Sequence, residues 1–492
     1  MNAMPVEIYS VATVRDIDRS AIEENGIPGY TLMTRAAQFS VDTMLAVFPD
    51  ARRWQVMCGA GNNAGDGYVV ARLARVAGVD VAAVAIVDPV ELSGDAATAY
   101  ADYVAAGGEV AGWSGAIDPA ATLYIDALLG SGLDRELAGD FAAAVAALNA
   151  TDMPVASLDI ATGLHGDSGM VMGDAVRADL TVTFVGLKQG QFLGRGSEHR
   201  GLLRFSDLDI PADCYANRPV ELRRISADQP AELLPRRSRN AHKGDFGHVL
   251  VVGGGRGMPG AAVLCGEAAL RAGAGRVSVA TDPAHATEVV NSRPELMARG
   301  VGSAAELQSF FADCGVIAVG PGLGQSEWAN ELMRAIERLT MPAVWDADAL
   351  NWLAENPGTA ENRIITPHPG EAATLLGVST GSVQADRRGA VQELQARYSG
   401  VAVLKGAGTL VKGPAADIWV STSGNPGMAA PGMGDVLTGI IGAMLGQGLS
   451  LLDAATAGVE IHAQVGDLAS LHGERGMMAS DLLAELRNVV NQ

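Results

Sequence analysis

Residues 54–76 read WQVMCGAGNNAGDGYVVARLARV, which is an apolar run, a glycine-rich segment and a helical pattern in succession. The apolar run predicts a buried strand, and Val69, Val70 and Leu73 recur at helical spacing as one apolar stripe. The segment Gly59–Gly67 fits G-x-G-x-x-A, the dinucleotide fingerprint, in the strand-to-helix context that the fingerprint requires. This stretch predicts an α/β fold built on a parallel sheet.

Outside this stretch, β-rich runs alternate with helical patterns in two series, which is typical of parallel sheets covered by helices. In the first series the predicted strands are Trp54–Cys58, Val81–Val87, Thr122–Asp126, Val155–Asp159 and Leu180–Val185, and the predicted helices include Gly67–Ala77 and Phe141–Asn149. In the second series the predicted strands are His248–Val252, Arg276–Ala280, Val316–Val319, Ala343–Asp346, Arg363–Thr366, Val401–Leu404, Thr409–Lys412 and Ile418–Ser421, and apolar helices follow near Asp435–Leu445 and Leu452–Leu471. The segment Pro211–Asn240 does not follow this alternation of strands and helices, although Glu221–Ile225 is predicted as one short strand. We therefore interpret the segment as the connection between two domains, residues 1–220 and 221–492.

Composition excludes several classes of protein. The chain has 492 residues, too many for one core, and 48% of them are hydrophobic. A net charge of −21 disfavours a nucleic-acid partner and an anionic membrane surface, so backbone N–H groups must hold any anionic substrate. The four cysteines are scattered, which predicts buried core residues rather than a zinc site or disulfides. The N-terminal sequence lacks a secretory pattern, and no run is long enough to span a membrane, so we predict a cytoplasmic protein.

Polar side chains mark the carboxyl ends of the first-series strands. Asp126 ends one strand and precedes a glycine loop, and Asp159 ends the next, before Thr162. Ligands of open parallel sheets bind at these ends, so we expect both aspartates and Thr162 to share a crevice with Asn63. Because these side chains offer oxygen ligands with only one or two negative charges among them, they suit a hard, monovalent cation. The alternative is that Asp66, Asp126 and Asp159 only cap helices.

The most informative part of the second half is GNPGM at residues 424–428, followed by GMGD at 432–435 and an apolar helix. Glycines at a helix start expose N–H groups to an anion, and the helix dipole adds to the attraction. Asp435 lies beside this anion-binding helix start and is placed to accept a proton from a substrate hydroxyl. Taken alone, Asp435 also reads as a helix cap, His368 as a loop residue bonded to backbone, and Lys405 as a solvated charge.

Together these motifs resemble the family of bifunctional NAD(P)H-hydrate repair enzymes, which join an NAD(P)HX epimerase domain to an ADP-dependent NAD(P)HX dehydratase domain. GNNAGDGYVVARLA, IDALLGSGL and LDIATGLHGDSG are similar to the epimerase signatures. The dehydratase signatures are matched by HKGDFGHVLVVGG, GMPGAAVL, GPGLG, TPHPGE, KGAGT and GNPGMAAPGMGDVLTGII. Departures are small: Ala64 replaces a frequent glycine, IATG at 160–163 stands for the common IPSG, and Ala430-Pro431 is unusual. The resemblance implies a Rossmann-like, three-layer first domain and a ribokinase-like second domain.

The resemblance also implies activities and site residues. The first domain would interconvert R- and S-NADHX and R- and S-NADPHX, with Asp159 as acid/base catalyst; its substrate residues are Asn62, Asn63, Ala64, Gly65, Asp66, Gly130, Ser131, Gly132, Leu133, Asp134, Arg135, Glu136 and Asp159. Its K⁺ ligands are Asn63, Asp126 and Thr162. The second domain would dehydrate the S form using ADP or ATP and Mg²⁺, with Asp435 as base. Its substrate residues are Ala262, Gly322, His368 and Asp435, and its nucleotide residues are Lys405, Gly406, Ala407, Gly408, Thr409 and Gly434. The expected assembly is a homo-oligomer such as a tetramer.

Three other functions compete with this interpretation. A small-molecule kinase of the same fold, acting on a vitamin alcohol and fused to a nucleotide-binding module, fits the GMGD loop equally well. TPHPGE and GMPGAAVL favour the dehydratase over that kinase. A first half that only senses nucleotides or binds a partner is disfavoured by its retained Asn63, Asp126 and Asp159. An NAD-dependent dehydrogenase is indicated only by the glycine fingerprint and Asp88.

Overall fold

The structure is a computed structural model that describes residues 4–491 and divides into two compact α/β units. The first unit ends at Leu222 and the second begins at Arg223. Among the described helices, none combines the length and the apolar character that a membrane crossing needs.

The first unit is built on a seven-stranded parallel sheet of order β4-β3-β2-β5-β6-β7-β9. Its strands, with the separate parallel pair β1 and β8, are β1 (Glu7–Tyr9), β2 (Arg53–Cys58), β3 (Asp80–Ala85), β4 (Val110–Gly112), β5 (Leu123–Ala127), β6 (Val155–Leu158), β7 (Leu180–Phe184), β8 (Leu187–Lys188) and β9 (Leu202–Ser206). Its helices are α1 (Val11–Glu23), α2 (Gly29–Val47), α3 (Asn62–Val76), α4 (Gly94–Ala105), α5 (Gly139–Asn149) and α6 (Gly196–His199).

Both faces of this sheet are covered, which gives three layers. Successive residues of a strand point to opposite faces. Accordingly, Val56 packs into a core with the helical residue Val69, whereas its neighbour Met57 packs into a second core with Val145. A parallel sheet buried on both faces favours apolar strands, and β2 is accordingly buried from Trp54 to Cys58 and apolar there except for Gln55.

Helix α3 begins at Asn62, five residues before the predicted start at Gly67. The turn is confined to Gly59–Gly61, and Gly61 has a φ of 88°. The later glycines serve packing instead, because a Cβ on Gly67 would lie 2.6 Å from the Cβ of Ala127 in β5. The predicted helix start at Gly67 was therefore wrong, since a helix that must lie against a strand also selects glycine.

The second unit contains a sheet of order β13-β12-β11-β14-β15-β16-β17-β18-β19-β10. It is parallel except for β17, β18 and β19, which are antiparallel neighbours. The strands are β10 (Leu222–Arg224), β11 (His248–Val252), β12 (Arg276–Thr281), β13 (Met297–Gly300), β14 (Val316–Val319), β15 (Ala343–Trp345), β16 (Arg363–Ile365), β17 (Val401–Leu404), β18 (Leu410–Lys412) and β19 (Ile418–Val420).

The helices of this unit are α7 (Gln229–Leu233), α8 (Pro259–Arg271), α9 (Ala286–Ser292), α10 (Ala304–Phe311), α11 (Glu327–Ile336), α12 (Asp348–Glu355), α13 (Pro369–Leu376), α14 (Thr380–Ala385), α15 (Arg387–Tyr398), α16 (Met433–Gly446), α17 (Leu451–Ser470) and α18 (Ala479–Val489). Helix α16 is buried along most of its length, as expected of a helix that is apolar all round. Its Gly439 lies against α8, where a Cβ would meet the carbonyl oxygen of Cys265. The core thus fixes the position of the α16 N-terminus.

The sequence prediction missed the short strands β1 and β8 and also β4, β9 and β13, which lie at sheet edges. Edge strands are half-exposed and need no continuous apolar run; β4 reads only VAG and β13 reads MARG. Three cysteines, Cys58, Cys214 and Cys265, are buried, while Cys314 is partly exposed.

Candidate active sites

The first unit contains a cavity of about 890 Å³ at the carboxyl ends of its strands. The strand order reverses at β2 and β5, and such a switch point is where doubly wound sheets bind ligands. The cavity is lined by these predicted residues: Asn62, Asn63, Asp66, Gly130, Ser131, Gly132, Leu133, Asp134, Arg135, Glu136 and Asp159. Ala64 and Gly65 are instead buried in α3, where Gly65 packs against Met33 and Ala96.

Asp159 projects into this cavity directly after β6. Its backbone is left-handed, with a φ of 67°, which side chains other than glycine, asparagine and aspartate rarely adopt. One carboxylate oxygen accepts a hydrogen bond from the ammonium of Lys188, and the other accepts one from the backbone N–H of Ser131 at 3.3 Å. The side chain is 18% exposed, so it is held in place but remains accessible to a ligand.

Lys188 is a site residue that the sequence reasoning missed. Its side chain is 1% exposed and also donates to Thr183 Oγ1 and to the carbonyl oxygen of Phe184, each at 2.9 Å. A buried lysine needs such partners, and its third donor goes to Asp159. The sequence held one signal for this residue: Lys188 lies only four residues beyond the fully buried strand β7, where a solvated side chain is not expected.

A second carboxylate, Asp126, lies behind the cavity wall and is fully buried. It accepts hydrogen bonds from Ser157 Oγ at 2.7 Å, from Thr162 Oγ1 at 2.7 Å and from Thr162 N at 2.9 Å. Burial raises its pKa, against the effect of these donors. Across the loop, the buried side-chain amide of Asn63 has no hydrogen-bond partner for either its oxygen or its nitrogen.

Two more carboxyl groups line the same cavity, Asp66 on α3 and Asp18 on α1. Burial is the main cause that raises the pKa of each, and the negative charge of Asp159 adds to both shifts. Asp18 was missed because an isolated aspartate in an amphipathic helix normally faces solvent.

The alternative that these aspartates cap helices does not hold. The N-cap of α3 is Gly61 and that of α16 is Gly432, so neither Asp66 nor Asp435 is a cap. The helix after Asp126 begins only at Gly139, and Asp159 is followed by an irregular loop.

In the second unit, Lys405 and Asp346 form an ion pair at the carboxyl ends of β17 and β15. The Lys405 ammonium donates to Asp346 Oδ1 at 2.7 Å and lies 3.7 Å from Glu371. Asp346 also accepts from Thr366 Oγ1 and Thr438 Oγ1, each at 2.9 Å. Burial alone would lower the pKa of Lys405, but the two carboxylates outweigh burial and raise it. Lys405 is therefore an ammonium fixed by partners, rather than a solvated charge.

Asp435 lies in the first turn of α16, after the left-handed Gly432. Burial raises its pKa to about 7, and the charge of Asp346 adds to this shift while that of Lys405 opposes it. Gly434 lies against the same ion pair, since a Cβ there would be 3.3 Å from Lys405 Nζ and 3.4 Å from Asp346 Oδ2. A carboxyl that titrates near neutrality, beside an ammonium and a helix N-terminus, can move a proton next to bound phosphate.

The remaining predicted residues of this unit lie around the same sheet edge with different roles. His368 is the N-cap of α13, and its Nδ1 accepts from the backbone N–H of Gly370 at 2.9 Å, so the backbone-bonded interpretation is correct for that atom. Its side chain is nevertheless 57% exposed. Gly322 has a φ of 57° and lies against the start of α8, whereas Ala262 in α8 is fully buried.

The turn Lys405–Thr409 is positioned by Arg387, another residue that the sequence reasoning missed. The buried guanidinium donates to the carbonyl oxygens of Leu404, Lys405 and Gly408 at 3.2 to 3.3 Å. Burial lowers its pKa to about 10, so it remains charged at neutral pH.

We expect Arg387→Met to lower the free energy of unfolding by about 2–4 kcal/mol, because three buried carbonyls lose their donor. The dissociation constant for adenine nucleotide should rise about tenfold or more, because the turn loses its support. Chemical unfolding and nucleotide titration measure the two effects, with the exposed Arg338→Met as the matched control. Unfolding of the variant within 0.5 kcal/mol of the wild type, roughly the scale of a surface substitution, would contradict this role.

Comparisons with known proteins agree with the two-part organisation. Residues 249–488 match the family model described as NAD(P)H-hydrate dehydratase, and residues 29–190 match the model described as YjeF-related protein N-terminus. A ribokinase-like superfamily protein from Enterococcus faecalis has a similar crystal structure, with 26% identity and a TM-score of 0.52, covering 55% of this chain and 96% of that one.

Full-length relatives cover both halves at once. The bifunctional NAD(P)H-hydrate repair enzyme Nnr of Coxiella burnetii is 43% identical over 98% of this chain and 99% of its own length. The enzymes of the same name from Escherichia coli and Vibrio cholerae are each 41% identical over 99% of this chain, and over 95% and 99% of their own lengths.

Proposed function

Since the chain belongs to the family of bifunctional NAD(P)H-hydrate repair enzymes, we propose that the residues described above divide the two steps of the repair between the two units. The chain has an NAD(P)H-hydrate epimerase domain and an NAD(P)H-hydrate dehydratase domain. It interconverts the R and S forms of NAD(P)HX and dehydrates the S form to NAD(P)H. The site of the first step is the cavity around Asp159, and that of the second is the sheet edge around Asp435.

The first step is inversion at C6 of the hydrated nicotinamide ring, which carries a hydroxyl next to N1. Asp159 is the acid/base group of this step, because it is the carboxylate that reaches the cavity with its orientation fixed by Lys188 and Ser131. The loop Gly130–Glu136 and the start of α3 line the rest of the cavity and bind the nucleotide portion. The observation that carries this assignment is the Asp159–Lys188 pair on a cavity wall.

A potassium ion is proposed to bind near Asp126, Thr162 and Asn63. These residues fit the ion because they offer oxygen ligands with a single negative charge. The buried amide oxygen of Asn63 has no protein partner, which is a cost that a bound cation would remove. The ion would orient the segments that carry Asn63 and Thr162, and it would take no part in proton transfer.

We expect the epimerisation rate to fall about tenfold or more when tetramethylammonium replaces K⁺ at equal ionic strength. K⁺ should also raise the thermal midpoint of the wild type, because a ligand that binds the native state stabilises it. Asn63→Leu should lose both effects, and dehydration of pure S-NADHX in the same samples is the control. Equal rates and equal midpoints in the two salts would contradict the site.

In the second step, Asp435 takes the proton from the C6 hydroxyl while Lys405 and the backbone around Gly434 hold the phosphates of ADP. Transfer of the terminal phosphoryl group of ADP to that hydroxyl leaves AMP and turns a poor leaving group into a good one. The N1 lone pair then expels phosphate from C6, and loss of a proton from C5 to water forms the C5=C6 double bond of NAD(P)H. The position of Asp435 beside Lys405 and the α16 N-terminus carries this assignment.

Magnesium would enter the second site with the nucleotide. Among residues 4–491 no group of three or more His, Cys, Asp or Glu side chains is arranged to hold a metal. Mg²⁺ commonly binds through substrate phosphates and water with one or two carboxylates, so this donor set fits. Glu371 is a carboxylate available at the site, because it lies 3.7 Å from Lys405, whereas Asp346 is paired with Lys405 at 2.7 Å.

One assay tests both steps and separates them from the kinase alternative. Mixed R- and S-NADHX is supplied with ADP, and the absorbance of restored NADH is followed. Full conversion of both epimers is expected from the two steps together, and conversion of half the mixture would show dehydration without epimerisation. The full-length relatives do not favour a vitamin-alcohol kinase, which would consume nucleotide without restoring NADH.

A further inference from the structure

The cavity of the first unit brings three carboxyl groups to a single ammonium. Asp18, Asp66 and Asp159 line it together with Lys188. Three negative charges around one positive charge are not balanced, and adjacent carboxylates disfavour full ionisation of one another. The other charged groups that line the cavity are Arg15, Asp95, Asp134, Arg135 and Glu136.

Asp159 is the member of the set whose carboxyl group is held by donors. The Lys188 ammonium and the Ser131 N–H donate to its two oxygens, and Gln191 Nε2 donates to its backbone carbonyl at 3.0 Å. Lys188 cannot turn away, since its other two donors are used by Thr183 and Phe184. Bonds of this kind fix the orientation of the carboxyl group.

Asp66 has the opposite surroundings. Among residues 4–491, no side chain or backbone N–H donates a hydrogen bond to its carboxyl group, and no cation pairs with it. Burial and the charges of Asp159 and Asp18 raise its pKa well above the usual range, and only Lys188 opposes them. One carboxyl group held by a cation and a second one without a donor are suited to opposite roles in proton transfer.

We propose that Asp66 and Asp159 are an acid–base pair in the epimerase site, with Asp66 as proton donor, Asp159 as proton acceptor and Lys188 as the positioning residue that holds the Asp159 carboxyl group in place. The inference rests on the proposed epimerase function of this cavity. The two carboxyl groups come from different walls of the cavity, α3 and the end of β6. A Cβ on Gly130 would lie 3.5 Å from Asp159 Oδ2 and 3.6 Å from Asn63 Cβ, so the space between the walls stays open.

In this arrangement every proton transferred during one inversion at C6 has a donor and an acceptor. Asp66 gives its proton to the C6 hydroxyl as the C6–O bond breaks, the N1 lone pair forms the N1=C6 double bond, and water leaves. A water molecule adds to C6 from the opposite face while Asp159 takes one of its protons, and the π pair returns to N1. Asp159 is then protonated and Asp66 ionised, and cavity water returns the proton from Asp159 to Asp66.

The test is Asp66→Asn in the full-length protein, with R/S exchange of NADHX followed from pH 5 to 10. In the wild type, exchange should decline at high pH as Asp66 loses its proton. In the variant it should fall about 100-fold or more and lose that alkaline decline. Asparagine matches the protonated carboxyl in shape, so thermal unfolding and dehydration of pure S-NADHX should stay at wild-type values and report correct folding.

Two further variants separate the roles. Asp18→Asn should keep exchange within about fivefold and move the alkaline decline to lower pH, because one charge that holds the proton on Asp66 is gone. Lys188→Met should lower kcat for exchange about tenfold or more and leave KM within about threefold, because the Asp159 carboxyl group loses the donor that orients it. A merely structural role for Lys188 would instead lower the thermal midpoint and change kcat and KM together.

The outcomes distinguish this pair from the epimerase function itself. Exchange within threefold of wild type in Asp66→Asn, with a large loss in Asp159→Asn, would overturn the pair and leave the cavity as the epimerase site. A large loss in Asp18→Asn but not in Asp66→Asn would assign the donor to Asp18 and also overturn the proposal. Wild-type exchange in both Asp66→Asn and Asp159→Asn would overturn the epimerase site as well.

Discussion

Asp435→Asn should slow ADP-dependent dehydration of S-NADHX by about two to four orders of magnitude. The amide cannot take the proton of the C6 hydroxyl, and it also removes a charge that the phosphates and Lys405 are arranged around. The rate of NADH recovery at saturating ADP measures the effect. Dehydration retained within tenfold of the wild type would refute Asp435 as the base.

The pH dependence of the same reaction gives a second check. Burial places the pKa of Asp435 at about 7, so the fraction that can act as a base falls below that pH. The wild-type rate should drop about tenfold for each pH unit below 6, and the residual rate of the variant should not follow this slope. Epimerisation measured in the same variant is the control, since Asp435 belongs to the other unit.

Asp159→Asn should reduce R/S exchange of NADHX by about two to four orders of magnitude, because the site loses the group that accepts a proton at C6. Chiral separation of the two hydrates over time measures the exchange. The variant should still dehydrate pure S-NADHX at the wild-type rate.

Mixed hydrates offer a sensitive readout of this second prediction. With Asp159→Asn, NADH recovery should stop once the S form is consumed, apart from slow spontaneous exchange. Ser168→Ala is a suitable control, because Ser168 hydrogen-bonds His165 and does not line the cavity. Complete, rapid conversion of a racemic mixture by Asp159→Asn would rule out its acid/base role.

The sequence was sufficient to predict residues whose chemistry lies at a strand end. Asp126 and Asp159 could be located because parallel strands direct their carboxyl ends to one edge, and the structure places both there. Lys188 and Arg387 could not be located in this way. Their role depends on the carbonyls and carboxylates that surround them, which come from segments distant in the chain.

Glycine was the least decisive signal in the sequence. A glycine that turns the chain, such as Gly61, and one that allows close packing, such as Gly65, look the same in a motif. The start of α3 was therefore misplaced, and Ala64 and Gly65, which the resemblance implied as substrate residues, are buried in the helix. The raised pKa of Asp66 was equally hidden, because it follows from burial and from the charges that other segments bring to it.

The left-handed backbone of Asp159 limits which substitutions at this position can be interpreted as chemistry. Asparagine tolerates that conformation, while alanine would remove the carboxylate and add about 1 kcal/mol of steric conflict. In a saturation library, asparagine and glycine should give folded, inactive epimerase domains, and β-branched residues should lower protein yield. Variants that fold but are inactive would then show that the carboxyl group is needed for proton transfer. Variants with low protein yield would show that the left-handed backbone at this position does not accommodate their side chains.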